Sequence, residues 1–239
     1  TYNVAVGFEA GNDVTTGVNN TLIGGLAGDA LTTGYNNVSL GYNSLSTETT
    51  GRLSVAIGVG ALATQNTTAD AYNTALGYNA GTAVTSGVQN TLIGGLAADS
   101  LTTGKNNVAV GYQALETEDT GDRSVAIGSF ALKTQNNDAD NYNTAVGYAA
   151  GLSVTTGTGN TFVGGLAGDG TDDGANNVAV GREALSGNAG NDNVAIGYES
   201  MSAATGSTNT CVGQTTGMVI TGLNNACFGV SAGRGITSG

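Results

Sequence analysis

Four groups of residues in this 239-residue sequence are of types that could do chemistry. Acids cluster at Glu116, Glu118, Asp119 and Asp122 beside Arg123, at Asp138 and Asp140 among Asn136, Asn137 and Asn141, and at Asp169, Asp172 and Asp173. Paired carboxylates could hydrolyse a glycan, and the acids and amides of 136–141 could hold Ca²⁺. Their spacing matches no EF-hand loop, and the equivalent stretch 64–72 lacks most of these groups. The acids therefore read as solvated turns, with no metal or cofactor expected. Cys211 and Cys227 are the only cysteines, and they read either as a disulfide or as buried thiols. Aromatics at Phe8, Tyr42, Tyr78, Tyr112, Tyr148 and Tyr198 could stack on sugars or pack against neighbouring backbone. Thr pairs at 15–16, 32–33, 49–50, 102–103 and 155–156 would order water, as an ice-binding surface does, if they stacked into a flat array.

The composition removes other chemistries. There is no His, which excludes Ser-His-Asp and Cys-His catalysis and His-containing zinc sites. No phosphate loop occurs, so the sequence reads as non-enzymatic. The net charge of −12 disfavours nucleic acid and anionic membrane surfaces as partners. No 18-residue apolar run spans a bilayer. Forty-one Gly residues and no Pro would suit disorder, but the apolar residues keep strict register.

That register comes from one five-residue phrase. Its clearest copy is Asn73-Thr74-Ala75-Leu76-Gly77, and it recurs fourteen times, with its Gly at 7, 24, 41, 58 and onward to 229. The Gly spacings run 17, 17, 17, 19, repeat that set, and then pass through 17 and 17 to 16. Such a period is too short for a helix pair, and the Gly density is hostile to helices. It predicts an all-β chain, a parallel β-solenoid of about fourteen rungs of 16–19 residues, each rung with about two short strands. At ~4.8 Å per rung this makes a rod on the order of 65 Å long. The expected organisation is one domain over 1–239, with four-rung units at about 3–72, 73–142 and 143–208 and shorter rungs at 209–239. The match of Thr1-Tyr2-Asn3 to Ala71-Tyr72-Asn73 suggests a piece of a longer fibrous protein.

Each place of the phrase should form a column. The first holds Asn3, Asn20, Asn37, Asn73, Asn90, Asn107, Asn143, Asn160, Asn177, Asn193, Asn209 and Asn225, with Ser54 and Ser124 in the other two copies. It reads as a hydrogen-bonded corner ladder. The fourth place, from Val6 and Ile23 to Phe228, reads as the interior stack. The third would then point outward. It holds Ala5, Leu22, Ser39, Ala56, Ala75, Leu92, Ala109, Ala126, Ala145, Phe162, Ala179, Ala195, Cys211 and Cys227. An outward column this apolar predicts a subunit interface through all of these but Ser39. The long stretches 64–72 and 134–142 should bulge from the wall.

Ser54-Val55-Ala56-Ile57-Gly58 and Ser124-Val125-Ala126-Ile127-Gly128 resemble the head repeats of trimeric autotransporter adhesins, the YadA-like or haemagglutinin-type repeat. Asn143-Thr144-Ala145-Val146-Gly147-Tyr148 resembles related repeats of bacteriophage tail fibres. The resemblance implies a left-handed β-roll, a side-by-side homotrimer, an extracellular place on a virion or cell surface, and attachment to a glycan or protein receptor. These rungs are longer than the family's usual ones.

Overall fold

The computed structural model describes residues 2–237; Thr1, Ser238 and Gly239, at the ends of the expected domain, lie outside it. The chain is an all-β parallel solenoid with no helix among the described residues. It forms two compact units, Thr1–Asp122 and Arg123–Gly239. The first carries β1 (Val4–Val6), β2 (Thr21–Ile23), β3 (Val38–Leu40), β4 (Val55–Ile57), β5 (Thr74–Leu76), β6 (Thr91–Ile93) and β7 (Val108–Val110). The second carries β8 (Val125–Ile127), β9 (Thr144–Val146), β10 (Thr161–Val163), β11 (Val178–Val180), β12 (Val194–Ile196), β13 (Thr210–Val212) and β14 (Ala226–Phe228). Within each unit every strand pairs in parallel with the next in sequence, as in Val4↔Thr21 and Thr161↔Val178.

Each rung has one strand, not the expected two. After the strand, every second residue is left-handed: Gly41, Asn43 and Leu45 have φ of 144, 58 and 49°. Alternating handedness breaks the pleat of a second strand. The amides of this segment still pair between rungs in both directions: Leu26 N donates to Phe8 O at 2.9 Å, and Gly28 N to Ser44 O at 3.0 Å. The phrase glycines are obligatory on two counts. A Cβ on Gly24 would overlap the Gly41 carbonyl, and its φ is 135°.

The two faces of the strand are exchanged relative to the sequence reading. The third place is the core, not an interface: Leu22, Ala56, Ala75, Leu92, Ala109, Ala126, Ala145, Phe162, Ala179, Ala195 and Cys211 are fully buried within their own chain, and Cys227 nearly so. Ala5, on the first rung, is exposed. The fourth place faces out instead, with Leu40, Leu76, Ile127, Val163, Val180 and Ile196 about two-fifths exposed. Size misled the assignment. One turn of so tight a coil has room inside for mostly small side chains, and the larger β-branched residues stay outside.

The interior also accounts for the four-rung period. Two places share one space: the third place of the strand and the residue four after the phrase Gly. Leu22 faces Gly28, whose Cβ would come within 2.8 Å of Leu22 Cδ2. Phe162 faces Gly168 in the same way, at 2.6 Å. Where the strand residue is small, the partner is large: Ser39 with Leu45, Ala56 with Leu62, Ala109 with Leu115, Ala126 with Leu132, Ala179 with Leu185 and Ala195 with Met201, each large partner fully buried. The small–small rungs Ala75/Gly81 and Ala145/Gly151 are filled from their neighbours, since a Cβ on Gly81 would meet Leu92 and Leu62, and one on Gly151 would meet Leu132 and Phe162. Constant total volume is what a close-packed interior requires. Those leucines are left-handed, φ 47–55°, which costs about 1–2 kcal/mol each. Leaving the hole would cost about 2–5 kcal/mol, so filling wins.

Candidate functional site

Three features of the surface and corner decide what the molecule can do. The first is the outward strand face. Its second place carries Val or Thr, and its fourth place Val, Ile or Leu, on β2 to β7 and again on β8 to β13. No charged side chain occurs in either column. A solvent-facing strand surface ordinarily alternates to polar residues, so this face is an apolar band wherever the strands run.

The second feature is the corner. Asn20 N donates to Asn3 Oδ1 at 2.8 Å, and Asn20 Nδ2 donates to Gly34 O at 2.9 Å. Asn37, Asn90 and Asn107 repeat both bonds in the first unit, and Asn160 does so in the second. These amides are consumed internally and are buried, so they offer nothing to a ligand. Ser54 interrupts the column, and there the extra length of the 19-residue rung is used. Gln65 reaches inward, donating to Ser54 Oγ at 2.9 Å and accepting from Asn73 Nδ2 at 2.9 Å. Gln135 serves Ser124 and Asn143 identically. Buried Glu48 completes the network by accepting from Gly51 N at 2.7 Å and Gln65 Nε2 at 2.9 Å. The sequence signal for this was the joint recurrence, 70 residues apart, of Ser for Asn, Glu three residues before a turn Gly, and two added residues.

Glu118 is therefore not in a solvated turn: it is fully buried, and Gly121 N donates to it at 2.8 Å. The long stretches are also less free than expected, because Gln65, Ala71, Gln135 and Asn141 are buried. Asp140 pairs with Arg123, whose guanidinium lies over the Tyr142 ring at 5.5 Å. Arg52, Asp70 and Tyr35 do the same in the first unit. Among the described residues no group of three or more His, Cys, Asp or Glu could hold a metal, and no pocket opens. The described residues include no helix long and apolar enough to cross a membrane.

The chain matches no protein-family model, no curated protein and no solved structure. The site must be read from its own geometry.

The cysteines are both free and buried, in register on β13 and β14. Burial, with Cys227 beside it, pushes the Cys211 thiol up to about 12, so it is no nucleophile at neutral pH. The Thr pairs sit at turns. Thr15, Thr32 and Thr102 donate their hydroxyl hydrogens to the carbonyls of Thr32, Thr49 and Asp119, at 2.9–3.1 Å. One donor of each such pair is thus spent inside the wall, not on water.

The third feature is the aromatic column. Phe8, Tyr42, Tyr78, Tyr112 and Tyr148 are half to three-quarters exposed. Their rings are neither core nor corner.

Proposed function

We propose that this chain is a non-enzymatic structural segment of an attachment fibre, a virion appendage such as a tail fibre, in which three copies pack side by side through the outward strand face. The observation that carries the reading is the charge-free double column of Val or Thr and Val, Ile or Leu on the outside of every rung from β2 to β13. Burying such columns between copies releases water from apolar area at about 25 cal/mol per Å². Three copies, rather than two, and the extracellular setting rest on the resemblance to adhesin and tail-fibre repeats. A fibre of this kind presents weak contacts in threes, which multiplies avidity. The rival cell-surface adhesin differs in the full-length gene, where a signal peptide and a C-terminal membrane barrel would be encoded.

Light scattering at micromolar concentration tests the assembly. The expected mass is three times the 23.3 kDa of one chain. Leu76→Glu, on the outward face, should give folded monomers with an unchanged circular dichroism spectrum. Ala109→Glu, which puts a carboxylate in the core, should prevent folding. A wild-type monomer would sink the reading.

A further inference from the structure

In the first unit an aromatic residue follows the phrase Gly on every second rung: Phe8, Tyr42, Tyr78 and Tyr112. The rungs between carry Gly25, Val59 and Gly95. A Cβ on Gly25 would lie 3.4 Å from Tyr42 Cδ2, and one on Gly95 would lie 3.6 Å from Tyr112 Cδ2. Each of these rings therefore reaches across the small residue of the rung before it, yet all four aromatics stay 49–75% exposed. The residue after each aromatic is polar and left-handed: Glu9, Asn43, Asn79 and Gln113, with φ 51–58°. The glycine rungs place Leu26 and Leu96 there instead. One unit of ring plus adjacent amide or carboxylate thus returns every two rungs, at about 10 Å for rungs ~4.8 Å apart.

We infer that this column binds an extended, β-linked polysaccharide lying along the first unit. Successive sugars of such a chain are flipped, so the same C–H face returns at every second ring, which is the repeat the aromatics offer. Exposed tyrosines give rigid, amphipathic contact area at low entropic cost. The neighbouring Glu9, Asn43 and Asn79 supply hydrogen bonds to sugar hydroxyls, whereas the Gln113 amide already donates to Glu116. The second unit lacks the arrangement. Tyr148 packs edge-on against Phe130, with centroids 5.8 Å apart, and Arg182 lies over the Tyr198 ring at 4.7 Å.

The inference deepens the attachment reading by naming a receptor class, and depends on it only for the biological use of the site. Calorimetric titration of cellohexaose and chitohexaose into the whole chain tests it, with curved maltohexaose as comparison. At least one of the β-linked probes should bind. Tyr42→Ala and Tyr78→Ala should each lower affinity about two- to tenfold. Tyr72→Ala, exposed but off the column, should leave affinity unchanged, and circular dichroism should be the same for all variants. No heat from either β-linked probe at millimolar concentration, equal binding of maltohexaose, or undiminished binding by the Tyr42→Ala/Tyr78→Ala double variant would overturn the inference. Light scattering separates the two proposals. A trimer that binds no glycan removes the receptor class and leaves the fibre, whereas a monomer that binds glycan does the reverse.

Discussion

Apart from the 19-residue rung between Gly58 and Gly77, the first unit keeps 17 residues per rung, while the second drops to 16 after Gly181. Strand register does not notice: Val178 still pairs with Val194 and Ala179 with Ala195. The corner absorbs the deletion. In the first unit each ladder Asn donates to a Gly carbonyl fourteen residues on, as Asn90 does to Gly104 at 2.9 Å. In the shortened rungs Asn193 donates to Gly206, thirteen residues on, and also to Asn177 Oδ1 at 3.1 Å. At the changeover Asn177 Nδ2 and Thr171 Oγ1 are buried without a partner among the described residues, while Asp169 Oδ1 shares that state with Asp29 Oδ1 of the regular rungs. A solenoid can thus shorten its coil without disturbing its sheet, at the cost of unpaired polar atoms where the two lengths meet.

If volume complementarity governs the regular unit, its largest penalty should come from opening the core. Leu115→Ala leaves Ala109 facing a void and should cost about 2–5 kcal/mol. Leu115→Gly relieves the left-handed strain but leaves the same void, so it should stay strongly destabilised. Because rungs unfold locally, hydrogen exchange resolved by strand is the measurement, and β7 with its neighbour β6 should lose most protection. Protection restored by Gly would show that strain, not packing, sets stability there.

The corner gives a smaller and more discriminating contrast. Asn90→Ala orphans the buried Asn107 amide and Gly104 carbonyl, at about 1–3 kcal/mol each. Asn177→Ala removes the acceptor of Asn193 N and one acceptor of Asn193 Nδ2, but that Nδ2 keeps the Gly190 and Gly206 carbonyls, and the Nδ2 of Asn177 had no partner to lose. It should therefore cost roughly half as much. Equal losses in urea denaturation would mean that the changeover is no weaker than the regular ladder.

The strands were legible because a phrase recurring fourteen times allows only one stacking period. The Asn column was legible because every rung needs its corner bonds. Which face of the strand points inward was not. Val6, Ile23 and Leu40 are larger than Ala5 and Ser39, and size pointed the wrong way because the space inside is shared with a residue six places later. Leu45 belongs to Ser39, and Leu115 to Ala109, only once the left-handed turn brings them together. Buried Glu48 and Glu118 were hidden for a similar reason: Glu48 accepts from backbone amides and from a glutamine of the next rung, and Glu118 accepts from the Gly121 amide.

The smallest expected effect sits at the changeover itself. Burial, assisted by the charge of Glu183, pushes the Asp169 carboxyl above its ordinary range. The folded state then holds that proton more tightly than the unfolded chain does. The sign follows: Asp169 contributes stability that is full below the unfolded carboxylate pKa and is lost as pH rises through the raised folded value. Asp169→Asn keeps the shape without the charge. It should match the wild type in acid and become the more stable of the two as pH approaches neutrality, in urea titrations followed by circular dichroism. A difference that stays flat with pH would place the weakness of the second unit in Thr171 and Asn177, and take Asp169 out of the account.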